Sequence, residues 1–375
     1  MKGFAVNGWH HVRVALVLPA LLALAGCGHT ATPAVPPALS PPASEPPSSP
    51  AIRPDTSADI TLPSGSRLLP AGAHRLHVRS LGLEHAGPAI VLLSGPTDHW
   101  HSDSGWFALL QPMLARQFRV HAIDRAGHGF SDLAGDGSYQ GFADDLAQLL
   151  PQLETEPVLV IAFASSNLSL HHYLARHGQR GLRAVLLIDP DGLHPALLPF
   201  YAEQAGPFQQ GEKLADYVNA GHYDARAEGF YLKEREHLQT ILPAAVADQM
   251  DWPFYDAVAR ERRNRARILM RFAAIARYDQ DVIDAAAITW PATLPVWSYD
   301  TEFERTAIDA ATGPAEKTRL EQWRQLSSEY MAALPGHCRI GSTSREHLAT
   351  VAEADRLVRL AGQLARGLDC PPETR

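Results

Sequence analysis

The sequence predicts an α/β domain built on a mostly parallel sheet. From residue 74 onward, short apolar runs rich in β-branched residues alternate with segments of helical periodicity. Most of these runs are continuously apolar, the pattern of strands buried on both faces, and such strands belong to parallel sheets covered by helices. Residues 194–290 break the alternation. They carry helical patterns punctuated by Pro195, Pro199, Pro207 and Pro243, and they read as a helical cap inserted between two core strands.

The elements follow in order. HRLHVRSLG (74–82) alternates as a half-buried strand, and AIVLLSG (89–95) is a continuous buried one. FRVHAID (118–124), VLVIAF (158–163), AVLLID (184–189), VWSY (296–299) and a short CRIG (338–341) complete the expected strands. Helical periodicity places helices at 106–115, 142–153, 168–177, 317–333 and 348–368. The chain shows no internal repeat.

The N-terminal part is read as processing and tether, not fold. Lys2 and Arg13 give a basic flank, and residues 14–25 form an apolar run too short to span a bilayer as a stable helix. The run ends in Leu24-Ala25-Gly26-Cys27, which resembles the lipobox of bacterial lipoproteins. That resemblance implies a signal peptide over 1–27 and a lipidated Cys27 anchoring the chain in the cell envelope. Gly28, and not Asp, follows the cysteine, which by the same resemblance favours the periplasmic side of the outer membrane over the inner membrane. Residues 28–66 form a linker, with nine prolines between Thr32 and Pro54 among Ala, Ser and Thr. Such a segment cannot bury a core and acts as an extended spacer.

A chain of 375 residues with 46% hydrophobic content suits one large domain with an insertion. Its net charge of −8 gives no electrostatic case for binding nucleic acid. The partners expected are a small-molecule substrate or ligand and, through the lipid anchor, a membrane. The sequence carries no signal for oligomeric state.

IDRAGHGFSD (123–132) resembles the D-x-x-G-x-G-x-S-D turn after the fourth strand of α/β-hydrolases, in the branch of epoxide hydrolases, dehalogenases and small esterases. LLSGPTDHW (92–100) sits where that family has its oxyanion loop, and Trp106 falls where a tryptophan often follows. The resemblance covers roughly residues 74–368. It implies an eight-stranded, mostly parallel sheet flanked by helices, with the core at 67–193 and 291–370 and the cap at 194–290. It also implies a hydrolase of a small ester or amide-type substrate that uses no cofactor and no metal.

The family keeps its nucleophile on a strained strand-to-helix turn of the form small-x-nucleophile-x-small. Reading forward from VLVIAF, Ala162 and Ser166 are the small residues and position 164 is the apex. Reading backward from LHHYLARHG reaches the same position. That residue is Ala164, which carries no nucleophile. Ser165 is the alternative through an elbow shifted by one, with Phe163 then where a small residue belongs. The plainer role for Ser165 and Ser166 is to cap and start the next helix.

The oxyanion donors implied by the resemblance are the backbone N–H groups of Pro96 and Ser165. Proline has no N–H. Either Thr97 takes over or that donor is missing, a loss that costs about 10²–10³ in rate. Counting along the seventh strand from Pro295 puts Glu304 at the acid position, with Thr301 replacing a glycine and Asp300 as the alternative. His347 in STSREHLATV is the histidine expected as the base, because its near-neutral pKa lets it take and return a proton. His99 and His101 make a weak metal pattern, and His171 and His172 are placed on an exposed helix face. The same topology puts Cys338 and Cys370 on one side of the domain and predicts a disulfide between them.

Two functions remain open on these residues. One is a hydrolase using Ser165, or a water activated by His347 and Glu304. The other is a non-catalytic relative whose capped pocket holds a ligand or partner.

Overall fold

The computed structural model describes residues 61–95, 103–135 and 137–371. The lipobox with Cys27, the linker up to residue 60, and Pro96, Thr97, His99 and His101 lie outside the described residues.

Eight strands form one sheet: β1 (Ser66–Ala71), β2 (His74–Leu81), β3 (Ile90–Ser94), β4 (Val120–Ile123), β5 (Val158–Phe163), β6 (Leu182–Ile188), β7 (Val296–Asp300) and β8 (His337–Gly341). Their spatial order is β1-β2-β4-β3-β5-β6-β7-β8. The pairs β1–β2 and β2–β4 are antiparallel and the remainder are parallel. Continuous apolar strands work here because both faces are covered. Ile90 and Leu92 enter one core with Trp106, Phe107, Leu110 and Leu357, while Val91 and Leu93 enter the other with Leu146, Leu149 and Leu170.

Some elements differ from the expectation. β1, SRLLPA, carries Pro70 in a six-residue edge strand, where a missing N–H is tolerated. The helix Tyr139–Leu153 starts earlier than its apolar pattern suggests, because Ser138 caps it by accepting from the Gly141 N–H. The expected helix at 106–115 is a 3₁₀ turn, Ser104–Phe107, followed by the short helix Leu110–Leu114. The last helix is broken at Glu353 into Ala349–Ala352 and Ala354–Ala365. A helix absent from the sequence reading, Phe303–Ala310, begins directly after β7.

Between β6 and β7 the chain forms six α-helices: Leu198–Ala205, Gly211–Asn219, Asp224–Ile241, Trp252–Arg262, Arg265–Ala276 and Tyr278–Ala286. Buried ion pairs join them to the core. Arg262 binds Asp103 through Nε at 2.5 Å and Nη2 at 3.0 Å and also binds Glu234, while Arg79 on β2 binds Asp251. The predicted Cys338–Cys370 disulfide is present, with the two Cα atoms 5.9 Å apart. It ties β8 to the chain just past the last helix, a closure that adds about 2–4 kcal/mol. Among the described residues no helix is long and apolar enough to cross a membrane.

His171 and His172 do not lie on an exposed face. Both are buried: Trp290 and Tyr330 cover His171, and His172 lies against the backbone of Asp281. The Trp290 Nε1–H lies 2.7 Å from His171 Nε2, and the Tyr330 hydroxyl lies 2.8 Å from the same atom. Burial pushes the His171 ring down to about 3, so it stays neutral and serves as packing.

Candidate active site

The site is built where β5 ends. Val158–Phe163 is fully buried, and the chain then reverses into the helix Asn167–His177 through Ala164, Ser165 and Ser166. Ala164 has φ of 50°, and Asp189 has φ of 43°; they are the two described non-glycine residues with positive φ. An L residue held there is strained, and such strain concentrates at functional turns. Small residues are required around this turn because another segment presses on it. A Cβ added to Gly95, after β3, would stand 2.2 Å from Ser166 N, 2.3 Å from Phe163 O and 2.6 Å from Ser165 N. The elbow apex is therefore Ala164, the position reached from both sides of the sequence.

Neither serine replaces it. The Tyr139 hydroxyl donates to Gly95 O, and Ser165 Oγ sits 2.6 Å from that same phenolic oxygen. Since the phenol's one proton goes to Gly95, the Ser165 hydroxyl donates to Tyr139. Burial pushes the Tyr139 phenol well above its usual range, so it stays protonated. The Ser166 hydroxyl lies 3.0 Å from Leu93 O and 2.9 Å from Phe163 O and is occupied there. Nor do these serines cap the helix through their side chains, since the N-terminal position has no side-chain cap bond. Their hydroxyls hold neighbouring backbone and Tyr139.

His347 lies in the loop after β8, with its ring 4.9 Å from that of Phe163 and 4.4 Å from that of Phe303. The loop is tied to the end of β7. The Ser342 N–H donates to Asp300 O at 2.8 Å, and the Glu302 N–H donates to Ser344 O at 2.7 Å.

The carboxylate hydrogen-bonded to His347 is Asp189, not Glu304 or Asp300. His347 Nδ1 stands 3.2 Å from Asp189 Oδ2. Asp189 also accepts the Thr301 N–H at 2.7 Å and the Thr301 hydroxyl at 2.8 Å. The threonine that stands for a glycine in the family's pattern thus braces the acid. Burial pushes the Asp189 carboxyl well above its ordinary value, and the Thr301 bonds oppose that push.

The expected acids are engaged differently. Asp300 accepts from Arg339 Nε at 2.6 Å and from the Ser298 hydroxyl at 3.1 Å. Glu304 sits in the first turn of Phe303–Ala310, and burial followed by the charge of Asp189 pushes it up to about 7. The reason is topological. β6 and β7 are neighbours in the sheet, so their carboxyl ends reach the same place, and it is the β6 end that turns toward His347. The signal was in the sequence: AVLLID closes a buried strand on an aspartate.

Residues 88–260 match the family described as alpha/beta hydrolase fold, and the strand order and the strained elbow agree with that match. The chain has the α/β-hydrolase fold. Among solved structures it is similar to an epoxide hydrolase from Vigna radiata, at 13% identity and a TM-score of 0.55 over 81% of this chain and 98% of that one. It is also similar to Cfl2 from Burkholderia cenocepacia, at 18% identity and a TM-score of 0.54 over 80% of this chain and 95% of the other.

Two curated proteins share shorter stretches. A non-heme chloroperoxidase of Kitasatospora aureofaciens is 36% identical over 84 residues, 22% of this chain and 30% of that protein. A pimeloyl-[acyl-carrier protein] methyl ester esterase of Chromobacterium violaceum is 34% identical over 102 residues, 27% of this chain and 36% of the esterase. The matches thus span about a third of each relative.

Within this α/β-hydrolase fold the parts present are a dyad and an empty apex. With Asp189 ionised, it holds the His347 Nδ1–H, which leaves Nε2 with its lone pair to accept a proton. The Ser165 backbone N–H follows the apex, where an oxyanion donor belongs. Of the residues singled out from sequence, the structure brings Ala164, Ser165 and His347 to one end of the sheet. It adds Asp189 and Tyr139, which the sequence reading did not name, and gives Thr301 the role of holding Asp189. Among the described residues no group of three or more His, Cys, Asp or Glu is arranged around a common metal position.

Proposed function

We propose that this α/β-hydrolase-fold protein is a hydrolase of a small ester or amide-type substrate that works without an acyl-enzyme. His347, oriented by Asp189, takes a proton from a water molecule on Nε2. The hydroxide oxygen attacks the substrate carbonyl carbon, and the oxyanion that forms accepts the Ser165 N–H. The carbon–heteroatom bond then breaks, and His347 returns its proton to the leaving group. General-base catalysis of this kind contributes about 10²–10⁴ in rate, less than a full nucleophilic triad supplies.

The observation that carries this reading is the His347–Asp189 hydrogen bond, braced by Thr301, beside an apex that is Ala164. Wild-type protein is expected to turn over short-chain esters, and His347→Ala to lose that turnover about a hundredfold or more. Turnover unchanged by His347→Ala would sink the mechanism. A second reading, a non-catalytic binder, is favoured by one specific feature: an apex without a nucleophile. It gains if a broad ester and amide panel shows no wild-type turnover.

The reading also places the protein in a bacterial cell envelope, held by lipid on Cys27 and spaced from the membrane by the proline-rich linker. The lipobox residues Leu24 to Cys27 support that placement.

A further inference from the structure

The seam between cap and sheet is lined with arginines whose charges are unevenly matched. Arg262 is bound by Asp103 and Glu234, Arg79 by Asp251, and Arg267 by Glu261 at 3.0 Å. Arg125 and Arg271 differ. They are 1% and 3% exposed, and among the described residues no carboxylate hydrogen-bonds either one.

Arg125 reaches Gly137 O at 3.2 Å, Gly95 O at 3.4 Å and His128 Nε2 at 3.5 Å, and it lies 4.3 Å over the Tyr139 ring. Arg271 donates to Arg262 O. The Nε of each is buried and unpartnered. The negative charges near them are already engaged, that of Asp103, which reaches Arg271, included. His128 bonds Ala126 O through Nδ1 at 2.9 Å, and burial holds its ring well below the usual range, so it is neutral. Asp124, beside Arg125 in the chain, is taken by His77 at 2.6 Å and by the Ser104 N–H at 2.6 Å. Asp103 is already doubly bound by Arg262.

Arg125 also lies at the elbow. It binds the carbonyl of Gly95, whose Cα presses on the Ser165 and Ser166 backbone nitrogens, and it stacks on the tyrosine that holds Ser165. Arg271 comes from the cap helix Arg265–Ala276, whose Met270 packs on Gly127 two residues beyond Arg125.

A buried guanidinium without a carboxylate is costly, and its planar fork matches a carboxylate in two-point contact. We propose that Arg125, with Arg271 from the cap, forms a subsite for a carboxylate carried by the substrate, next to the apex at Ala164. The substrate class is then an ester or amide that also bears a free acid, such as a half-ester of a dicarboxylic acid. The cap closes the subsite, so that a neutral analogue leaves two buried charges unanswered and is rejected.

This deepens the proposed hydrolysis but is read through binding alone, in the full chain carrying His347→Ala. Titration calorimetry with monomethyl succinate through monomethyl suberate, their dimethyl esters and inorganic phosphate supplies the comparison. At least one half-ester is expected to bind about tenfold or more tightly than its dimethyl ester, the scale of a charge-assisted hydrogen bond. Arg125→Gln and Arg271→Gln should each remove most of that preference, and Arg125→Lys should keep only part of it. Arg271→Gln and Arg125→Lys carry the test if Arg125→Gln does not fold.

No half-ester binding, equal binding of half-ester and diester, or a preference that survives in folded arginine variants would overturn the subsite. Phosphate binding more tightly than every half-ester would overturn its assignment to a carboxylate. If half-esters bind as expected while wild-type protein hydrolyses none of them, the reaction falls and the subsite stands.

Discussion

Ala164 shows how much one side chain decides. The backbone around it keeps what a nucleophile elbow needs: a left-handed apex, small neighbours and a glycine pressed against the turn. What is gone is one oxygen atom. The nearby serines do not supply it, because Ser165 donates to Tyr139 and Ser166 bonds backbone carbonyls.

Glu304 makes a separate prediction at this scale. Its folded pKa is raised from 4.5 to about 7, so the folded state holds a proton that the unfolded chain releases. That contribution to stability is fully present below about pH 4.5 and is lost as pH rises through about 7. Glu304→Gln should therefore flatten the decline in Tm between about pH 5 and about pH 8, modestly, because the side chain keeps some contact with solvent. A variant whose Tm falls over that range as steeply as wild type would contradict the shift.

At the scale of elements, the strands were legible because buried parallel strands have no polar face to disguise them. β3, β5 and β6 fall where their apolar runs lie. β1 was not legible: it is short, half-exposed and interrupted by Pro70, and only its place at the sheet edge makes it a strand. The acid was misplaced for a related reason. A residue count along β7 cannot tell which of two adjacent strand ends turns toward the histidine, and the Thr301 bonds that hold Asp189 exist only once β6 and β7 are paired. The elbow was legible because small residues there are a steric demand visible in one dimension. His171 and His172 were misread because the residues that cover them, Trp290 and Tyr330 over His171 and Asp281 at His172, are more than a hundred positions away.

The cap is tied down by a buried charge network centred on Arg262. Arg262→Met would leave Asp103 and Glu234 buried without their counter-charge. The expected loss is about 3–5 kcal/mol, seen as a lower Tm and faster hydrogen exchange in Trp252–Arg262. A loss under about 1 kcal/mol would show instead that apolar packing holds the cap.

At the scale of the molecule, the proposal joins a domain with the α/β-hydrolase fold to a proline-rich sequence that follows Cys27. If lipid on Cys27 is the anchor, Cys27→Ser expressed with the native leader should move the protein from the membrane fraction to a soluble one. Persistence in the membrane fraction would point to a different attachment. The domain holds a hydrogen-bonded histidine–aspartate pair, and its cap-to-sheet seam carries two arginines that lack a described carboxylate partner.

The central claim is that the apex carries no nucleophile and that none of its neighbours replaces one. It is tested most directly by fluorophosphonate labelling followed by mass spectrometry of the peptide spanning residues 158–178, in wild type and in Ala164→Ser. The account predicts no adduct on the wild-type peptide and an adduct on residue 164 of the variant. An adduct on Ser165 of the wild-type protein would contradict it.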